Sequence, residues 1–281
     1  MTLISIFHKT IYNYDRSVFL SAHQFRLRPA AHSSAKIESY ELVVEPASHV
    51  THWQQDVFGN FIARVDFDGP MEFMTLTVRL TASLIAYDPF NVRIDDYAQN
   101  YPFTYLSNLR QDLFSYLEVV DKGPKLAAFV AQMNVVDQDI LGFLVSLNNR
   151  IYTQIAYIKR EEEGVMTSEQ TLEYGTGSCR DSAWLLVQVM RHLGLASRFV
   201  SGYLVQSNEN GQPVSLDLHA WAEVFIPGAG WIGLDTTSGL FTSEGHIPLA
   251  ATPRPADSAP VTGTTSPCVA TIRYETKVSP L

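Results

Sequence analysis

Cysteine is scarce in this chain: Cys179 and Cys268 are the two thiols among 281 residues. Two cysteines could pair, but they make no disulfide framework, and a reduced, cytoplasmic protein is the simpler expectation. Positive charge is also short. Lys and Arg number 20 against 29 Asp and Glu, for a net charge of −9 and a pI of about 5.3. No basic stripe is present, so nucleic acid is not an expected partner. No window approaches the roughly 18 uninterrupted apolar residues of a membrane span, so no membrane association is expected. The opening Met1-Thr-Leu-Ile-Ser-Ile-Phe-His8 is too short and too interrupted to read as a secretory signal. What the chain does have is 46% hydrophobic against 17% charged residues, enough for a normal core in two domains or one large one.

The first 90 residues or so read as β. Leu3–Phe7, Ser39–Glu45, Phe61–Phe67 and Met74–Thr81 mostly alternate apolar and polar, and Arg28-Pro29, Glu45-Pro46, Gly59-Asn60 and Gly69-Pro70 mark turns between them. Short strands at this spacing predict a small sandwich or open barrel. Prolines break the region 88–125, with a short helix expected near Leu109–Leu117. A helical stretch follows from about Lys125 to Lys159. Ala183, Leu186, Val187, Met190 and Leu193 recur at helical spacing, so Cys179–Leu193 reads as a helix closed by Gly194. Phe199–Val205, Ala220–Ile226 and Trp231–Leu234 read as strands, the last two joined by a Gly228-Ala-Gly230 turn. The Pro/Thr/Ser-rich segment from 251 to 281 reads as an irregular tail, clamped on the surface or partly disordered.

Chemistry concentrates around Cys179. It follows Gly175-Thr-Gly177-Ser178 and opens the apolar helix, with Ser178 as N-cap. A helix N-terminus favours a thiolate, and the glycines allow close approach of a substrate to the backbone. The Cys179 N–H is placed to help hold an oxyanion. His219 lies 40 residues downstream and Asp235 another 16. If Gly228-Ala-Gly230 is a hairpin turn, paired positions sum to about 454–458, and 219 plus 235 gives 454, which sets the two side chains roughly opposite. Cysteine, histidine and aspartate in that order supply a nucleophile, its base and the acid that orients the base. Arg180 and Asp181 are expected to pair or to fix the first helical turn. His246 near Glu244 hints at a metal, but no ligand spacing recurs, and neither metal nor cofactor is expected. Glu161-Glu-Glu163 reads as a solvated loop face, and Cys268 has no base near it in sequence.

Four segments carry a specific resemblance: Thr171-Leu-Glu-Tyr-Gly-Thr-Gly-Ser-Cys-Arg-Asp-Ser-Ala-Trp184, Arg198-Phe-Val-Ser-Gly-Tyr-Leu204, Asp217-Leu-His-Ala-Trp-Ala-Glu-Val224 and Gly230-Trp-Ile-Gly-Leu-Asp-Thr-Thr-Ser-Gly239. In order and spacing they resemble the bacterial transglutaminase-like superfamily, within the wider papain-like class. Tyr12-Asn-Tyr-Asp, Phe25-Arg-Leu-Arg-Pro29 and Asp56-Val-Phe-Gly-Asn60 resemble the β-rich N-terminal domain that accompanies this core in bacteria. One motif departs from the family, which reads Asp-Pro-Thr where this chain has Asp235-Thr236-Thr237.

The resemblance implies an α+β protein: an N-terminal β-sandwich or barrel-like domain, then a transglutaminase-type core with a Cys-bearing helix packed on an antiparallel sheet. The expected divisions are 1–95, a helical connection over 96–150, a catalytic core over 151–250, and the tail. Cys179 is implied as nucleophile, His219 as base and Asp235 as orienting acid. Gln154 and Tyr157 are the candidates for a side-chain oxyanion donor. Gly177 and Ser178 support the nucleophile, and Trp221 lines the cleft or packs under His219. The implied activity is attack on an amide through a thioester. With water as acceptor it is a peptidase or amidase, the preferred reading. With an amine it is a glutamine acyltransferase. A catalytically silent binding module is the reading from another class. The expected partner is a protein or peptide offering an amide or glutamine side chain. The β domain presents substrate or forms a homo-oligomer surface, and its sequence favours neither.

Overall fold

The computed structural model describes residues 2–133, 137–208 and 210–281. Six strands come first: β1 (Thr2–Val18), β2 (His23–Phe25), β3 (Lys36–Glu45), β4 (His49–Gln55), β5 (Phe61–Phe67) and β6 (Met71–Leu84). Along β1, Ile4, Ile6, His8 and Thr10 are buried while the residues between them are not, the period of a strand with one face inward. Ile4 and Ile6 of β1 and Leu76, Val78 and Leu80 of β6 share one core with Phe25 of β2 and Ala63 and Val65 of β5.

The helices are α1 (Ser107–Asp112), α2 (Phe114–Leu117), α3 (Pro124–Ala131), α4 (Ile140–Gln154), α5 (Ser168–Tyr174) and α6 (Cys179–His192). The single stretch expected over 125–159 is therefore two helices. Pro124 starts α3, and a new N-cap starts α4, where the Asp139 carboxylate accepts the Gly142 N–H at 2.7 Å. The chain leaves α4 at Gln154, because Ala156–Tyr157 is drawn into a parallel pairing with Thr176–Gly177.

The second half is an antiparallel sheet of β7 (Ser197–Ser207), β8 (Pro213–Ile226), β9 (Gly230–Asp235), β10 (Leu240–Phe241) and β11 (His246–Thr252), in the order β10-β9-β8-β7-β11. Helix α6 packs on it. Leu185, Leu186, Val189 and Met190 are fully buried against a core that includes Ala220, Ala222, Val224 and Leu234 of the sheet. Each such side chain contributes about 1.5–3 kcal/mol through burial. This is the expected α+β arrangement of a Cys-bearing helix on an antiparallel sheet.

Two further expectations are corrected. The segment 251–281 is not an irregular tail. After β11 and a short turn of helix at Pro255–Ser258 come β12 (Val261–Thr262) and β13 (Ala270–Pro280). Strand β13 pairs with β1 from Ile4–Pro280 to Tyr14–Ala270, giving a sheet β13-β1-β6-β3, and β12 completes the facing sheet β12-β2-β5-β4. The N-terminal unit thus takes strands from the far end of the chain. Strand β8 also starts earlier than expected, at Pro213, so His219 sits within the strand opposite Gly202 rather than at its start.

The Asp56–Asn60 motif has a structural job. The Asp56 carboxylate accepts the N–H groups of Phe58 and Asn60, each at 2.9 Å. Asn60 in turn bonds the backbone of Ala251 in both directions, at 2.9 and 3.2 Å, tying the β4–β5 hairpin to β11.

Candidate active site

The segment before Cys179 is built to hold one residue at a helix mouth. Helix α5 ends at Gly175, whose φ of +62° is the left-handed conformation that favours glycine. Thr176–Gly177 then pairs with Ala156–Tyr157, and Ser178 caps α6. The buried Asp181 carboxylate organises this turn. It accepts the Ser178 N–H (2.8 Å) and O–H (2.7 Å), the Met166 N–H (2.7 Å) and two guanidinium N–H groups of Arg160 (2.9 and 3.1 Å). Burial opposes ionisation of Asp181, but Arg160 and these donors outweigh it and hold the carboxyl below its ordinary range. The expected Arg180–Asp181 pair is not formed. Arg180 instead donates to the carbonyls of Arg160 and Glu162, because its side chain leaves the helix on another face. Cys179 occupies the first position of α6, where a backbone N–H has no intrahelical acceptor.

The structure brings His219 and Asp235 together with Cys179. The last β8–β9 pairs, Ala222–Leu234 and Ile226–Gly230, sum to 456, so His219 and Asp235 are diagonal rather than directly opposite. The imidazole spans that diagonal: His219 Nε2 lies 3.1 Å from Asp235 Oδ2. Cys179 is close enough to act on the charge of the imidazole. Nε2 faces the carboxylate, so Nδ1 is the ring nitrogen left to serve a thiol. Burial disfavours the imidazolium, but Asp235 and Cys179 override it and push His219 up to about 10. Asp235, also buried, is held well below the ordinary carboxylate range by its bonds to His219 and His246, which overcome desolvation.

Trp221 packs beneath His219, with ring centroids 6.4 Å apart and planes at 28°. Its indole N–H goes to Glu223 at 3.3 Å and is not directed at the cleft. Gly202 makes room for it, since a Cβ there would run into the Trp221 ring and the Ile247 carbonyl. The Thr236 that replaces the family's proline donates its hydroxyl to Ser182 of α6 at 2.8 Å, a bond proline cannot make. Thr237 gives both its N–H (2.8 Å) and O–H (2.7 Å) to Asp235 Oδ1.

A cleft of about 470 Å³ lies among residues that flank Cys179 and Asp235 in the chain, lined by Tyr152, Ile155, Ala156, Tyr157, Gly177, Ser182, Thr236 and Thr237. Tyr157 and Gly177 are among the residues that line this cleft. Gln154 is exposed and does not line this cleft, although Tyr152 before it and Ile155 after it do. Ser178 serves as cap and faces Asp181 rather than the cleft. A roomier cavity of about 650 Å³ is lined only by residues of the β domain between Arg28 and Phe61, and none of the Cys179 cluster reaches it.

His246 is a residue whose role the sequence does not disclose. Its Nε2 lies 3.2 Å from the same Asp235 oxygen that His219 uses. His219, Asp235 and His246 each offer a ligand atom, all within 4.8 Å of one another, and Glu244 is not part of that group. The signal in sequence is weak, a lone histidine opening an apolar strand, and Asp235 is eleven residues away.

A helix-borne thiol beside a sheet-borne histidine and carboxylate is the core arrangement of papain-like thiol enzymes. Residues 127–236 match the transglutaminase-like superfamily, and residues 4–83 match the bacterial transglutaminase-like N-terminal region. The chain belongs to that superfamily. Among curated proteins it is similar to an uncharacterized protein of Mycobacterium tuberculosis, 24% identical over 267 residues, covering 91% of this chain and 85% of the other. An uncharacterized protein of Mycobacterium leprae is 22% identical over 270 residues, covering 94% and 93%. The fold is shared with a proposed cysteine protease from Cytophaga hutchinsonii, with a TM-score of 0.76 at 18% identity, over 100% of this chain and 91% of that one.

Proposed function

We propose that the protein is a thiol enzyme acting on amide bonds of a protein or peptide through a Cys179–His219–Asp235 triad. The observation that carries this is the place of His219, bonded to the Asp235 carboxylate at 3.1 Å and close enough to Cys179 for the thiol to favour its charged form. In the resting site His219 takes the thiol proton, and Asp235 stabilises the imidazolium. The sulfur attacks the amide carbonyl carbon, and the carbonyl oxygen becomes an oxyanion held in part by the free Cys179 N–H. His219 then passes its proton to the departing nitrogen. The C–N bond breaks and a thioester remains. Water enters, gives a proton to His219 and releases the acid, restoring the thiol–imidazole pair. An amine at the same step would complete an acyl transfer instead. Hydrolysis is the preferred outcome, because the cleft between Tyr157 and Thr237 is open to water, the more abundant acceptor.

The test is alkylation of Cys179 by iodoacetamide at pH 6.5, read by intact mass, with Cys268→Ala as background. Cys179 should label readily, and His219→Ala should slow labelling about a hundredfold or more, the ordinary worth of a positioned base. Labelling indifferent to His219 would remove the reading. Incubation with a glutamine-containing peptide, with and without a primary amine, then separates the two acceptors by product mass.

A further inference from the structure

The Asp235 carboxylate has about four sites at which to accept hydrogen bonds, and every one is filled. Oδ1 takes the Thr237 N–H and O–H, at 2.8 and 2.7 Å, while Oδ2 faces His219 Nε2 and His246 Nε2 at 3.1 and 3.2 Å. The other nitrogen of His246 decides what its ring can do. The backbone N–H of Ser243 points at His246 Nδ1 from 3.1 Å. A backbone N–H can only donate, so Nδ1 holds a lone pair and the ring proton of the neutral imidazole sits on Nε2. His246 is therefore a donor to Asp235. The same proton occupies the lone pair that a cation would need, so the spacing of the three ligand atoms, which suits a metal, is filled by protons instead.

The ring has little freedom to do anything else. His246 is buried, its ring meets Trp221 edge-on at 5.2 Å and 84°, and its backbone N–H donates to the Ser243 carbonyl at 3.0 Å. Trp221 also lies under His219, so one indole sets the orientation of both imidazoles.

We infer that His246 is a positioning residue of the active site, a neutral Nε2–H donor that shares Asp235 Oδ2 with His219 and fixes the carboxylate so that His219 presents Nδ1 to the thiol. This rests on the proposed triad. It assigns His246 no contact with substrate, and its effect runs through Asp235.

The experiment uses the full chain with ¹⁵N-labelled histidine. Long-range ¹H–¹⁵N correlation at pH 8 should show His246 as the Nε2–H form, with Nδ1 unprotonated. His246→Phe should slow Cys179 alkylation at pH 6.5 by about ten- to a hundredfold, the scale of one hydrogen bond to a charged group. His246→Gln, whose side-chain N–H can take the same place, should recover most of that loss. An Nδ1–H form, or a His246→Phe protein alkylating at the unaltered rate, would overturn the inference. So would stoichiometric Zn²⁺ binding lost in His246→Phe and in His219→Ala, which would make the cluster a metal site. Should the Phe variant fail to fold, the spectrum of the unaltered protein and the Gln variant still decide. If His219→Ala slows alkylation and His246→Phe does not, only the role of His246 fails. If neither does, the triad itself fails.

Discussion

His8 and His219 occupy two sheets of one molecule and face opposite electrostatic fates. Both are buried. His8, in the core of the β domain, contacts the Tyr203 hydroxyl at 2.8 Å and the Thr10 hydroxyl at 2.9 Å, and burial drives it down to about 4. His219, in the central sheet, is desolvated as well, yet Asp235 and Cys179 push it up to about 10. Desolvation sets the cost of the imidazolium in both places, and the charge of the partner decides which way the balance falls. Two hydroxyls cannot stabilise a cation as a carboxylate does. The β domain thus holds a histidine that burial keeps neutral, and the central sheet holds one that its neighbours keep charged.

The sharpest way to break this contrast is Asp235→Asn. It should drop Cys179 alkylation at neutral pH by about 10³- to 10⁴-fold, the scale for losing the orienting acid of such a triad. It should also move the His219 titration, followed by NMR, down toward that of His8. A His219 midpoint unmoved by the change would sink the account.

A smaller effect separates buried carboxylates with different jobs. Asp181 is paired with Arg160 at 2.9 Å and shapes the turn before Cys179. Asp181→Asn should cost about 3 kcal/mol of stability in urea denaturation, as breaking a buried pair does, while the His219 midpoint stays in place. A midpoint that shifts with the stability loss would show the two carboxylates to be one unit.

The smallest expected effect concerns His8 itself. Its folded-state value lies below the ordinary 6.5, so the stability present above pH 6.5 is lost as pH falls toward about 4. His23 and His32 are also lowered by burial and add to the same trend. His8→Gln should remove a slope of up to about 1.4 kcal/mol per pH unit across that window, measured as denaturation midpoints at pH 7, 6, 5 and 4.5. An unchanged acid slope would contradict the assignment. His219 runs the other way: its raised value adds stability that is complete below pH 6.5 and fades as pH climbs through about 10.

Much of the site was legible in sequence because its parts sit in dense local patterns. The Gly-Thr-Gly-Ser-Cys turn, the apolar spacing of α6 and the hairpin around Gly228–Gly230 each point to structure over short range, and together they set Cys179, His219 and Asp235 within reach. Strand β13 escaped because its residues are mostly exposed. It is held by backbone pairing to β1, which leaves little hydrophobic signal, and the Pro- and Ser-rich stretch before it hides the Thr271-Ile-Arg-Tyr-Glu-Thr-Lys-Val278 alternation. His246 escaped for a different reason. Its partner Asp235 lies across β10 and a turn, and only the register of β11 beside β7 brings the ring back over the carboxylate. Gln154, exposed at the end of α4, stays outside the lining of the cleft, because proximity along the chain says nothing about which way a helix end faces.

The pairing of Ile4 with Pro280 orders events during synthesis. Strand β1 leaves the ribosome long before its outer neighbour, which follows α6 and the whole central sheet in the chain. Through that interval one backbone edge of the first sheet stays open to strands of other chains. The segment 270–280 covers it, so a chain truncated after β11 would hold Cys179, His219 and Asp235 together with an uncovered β1 edge.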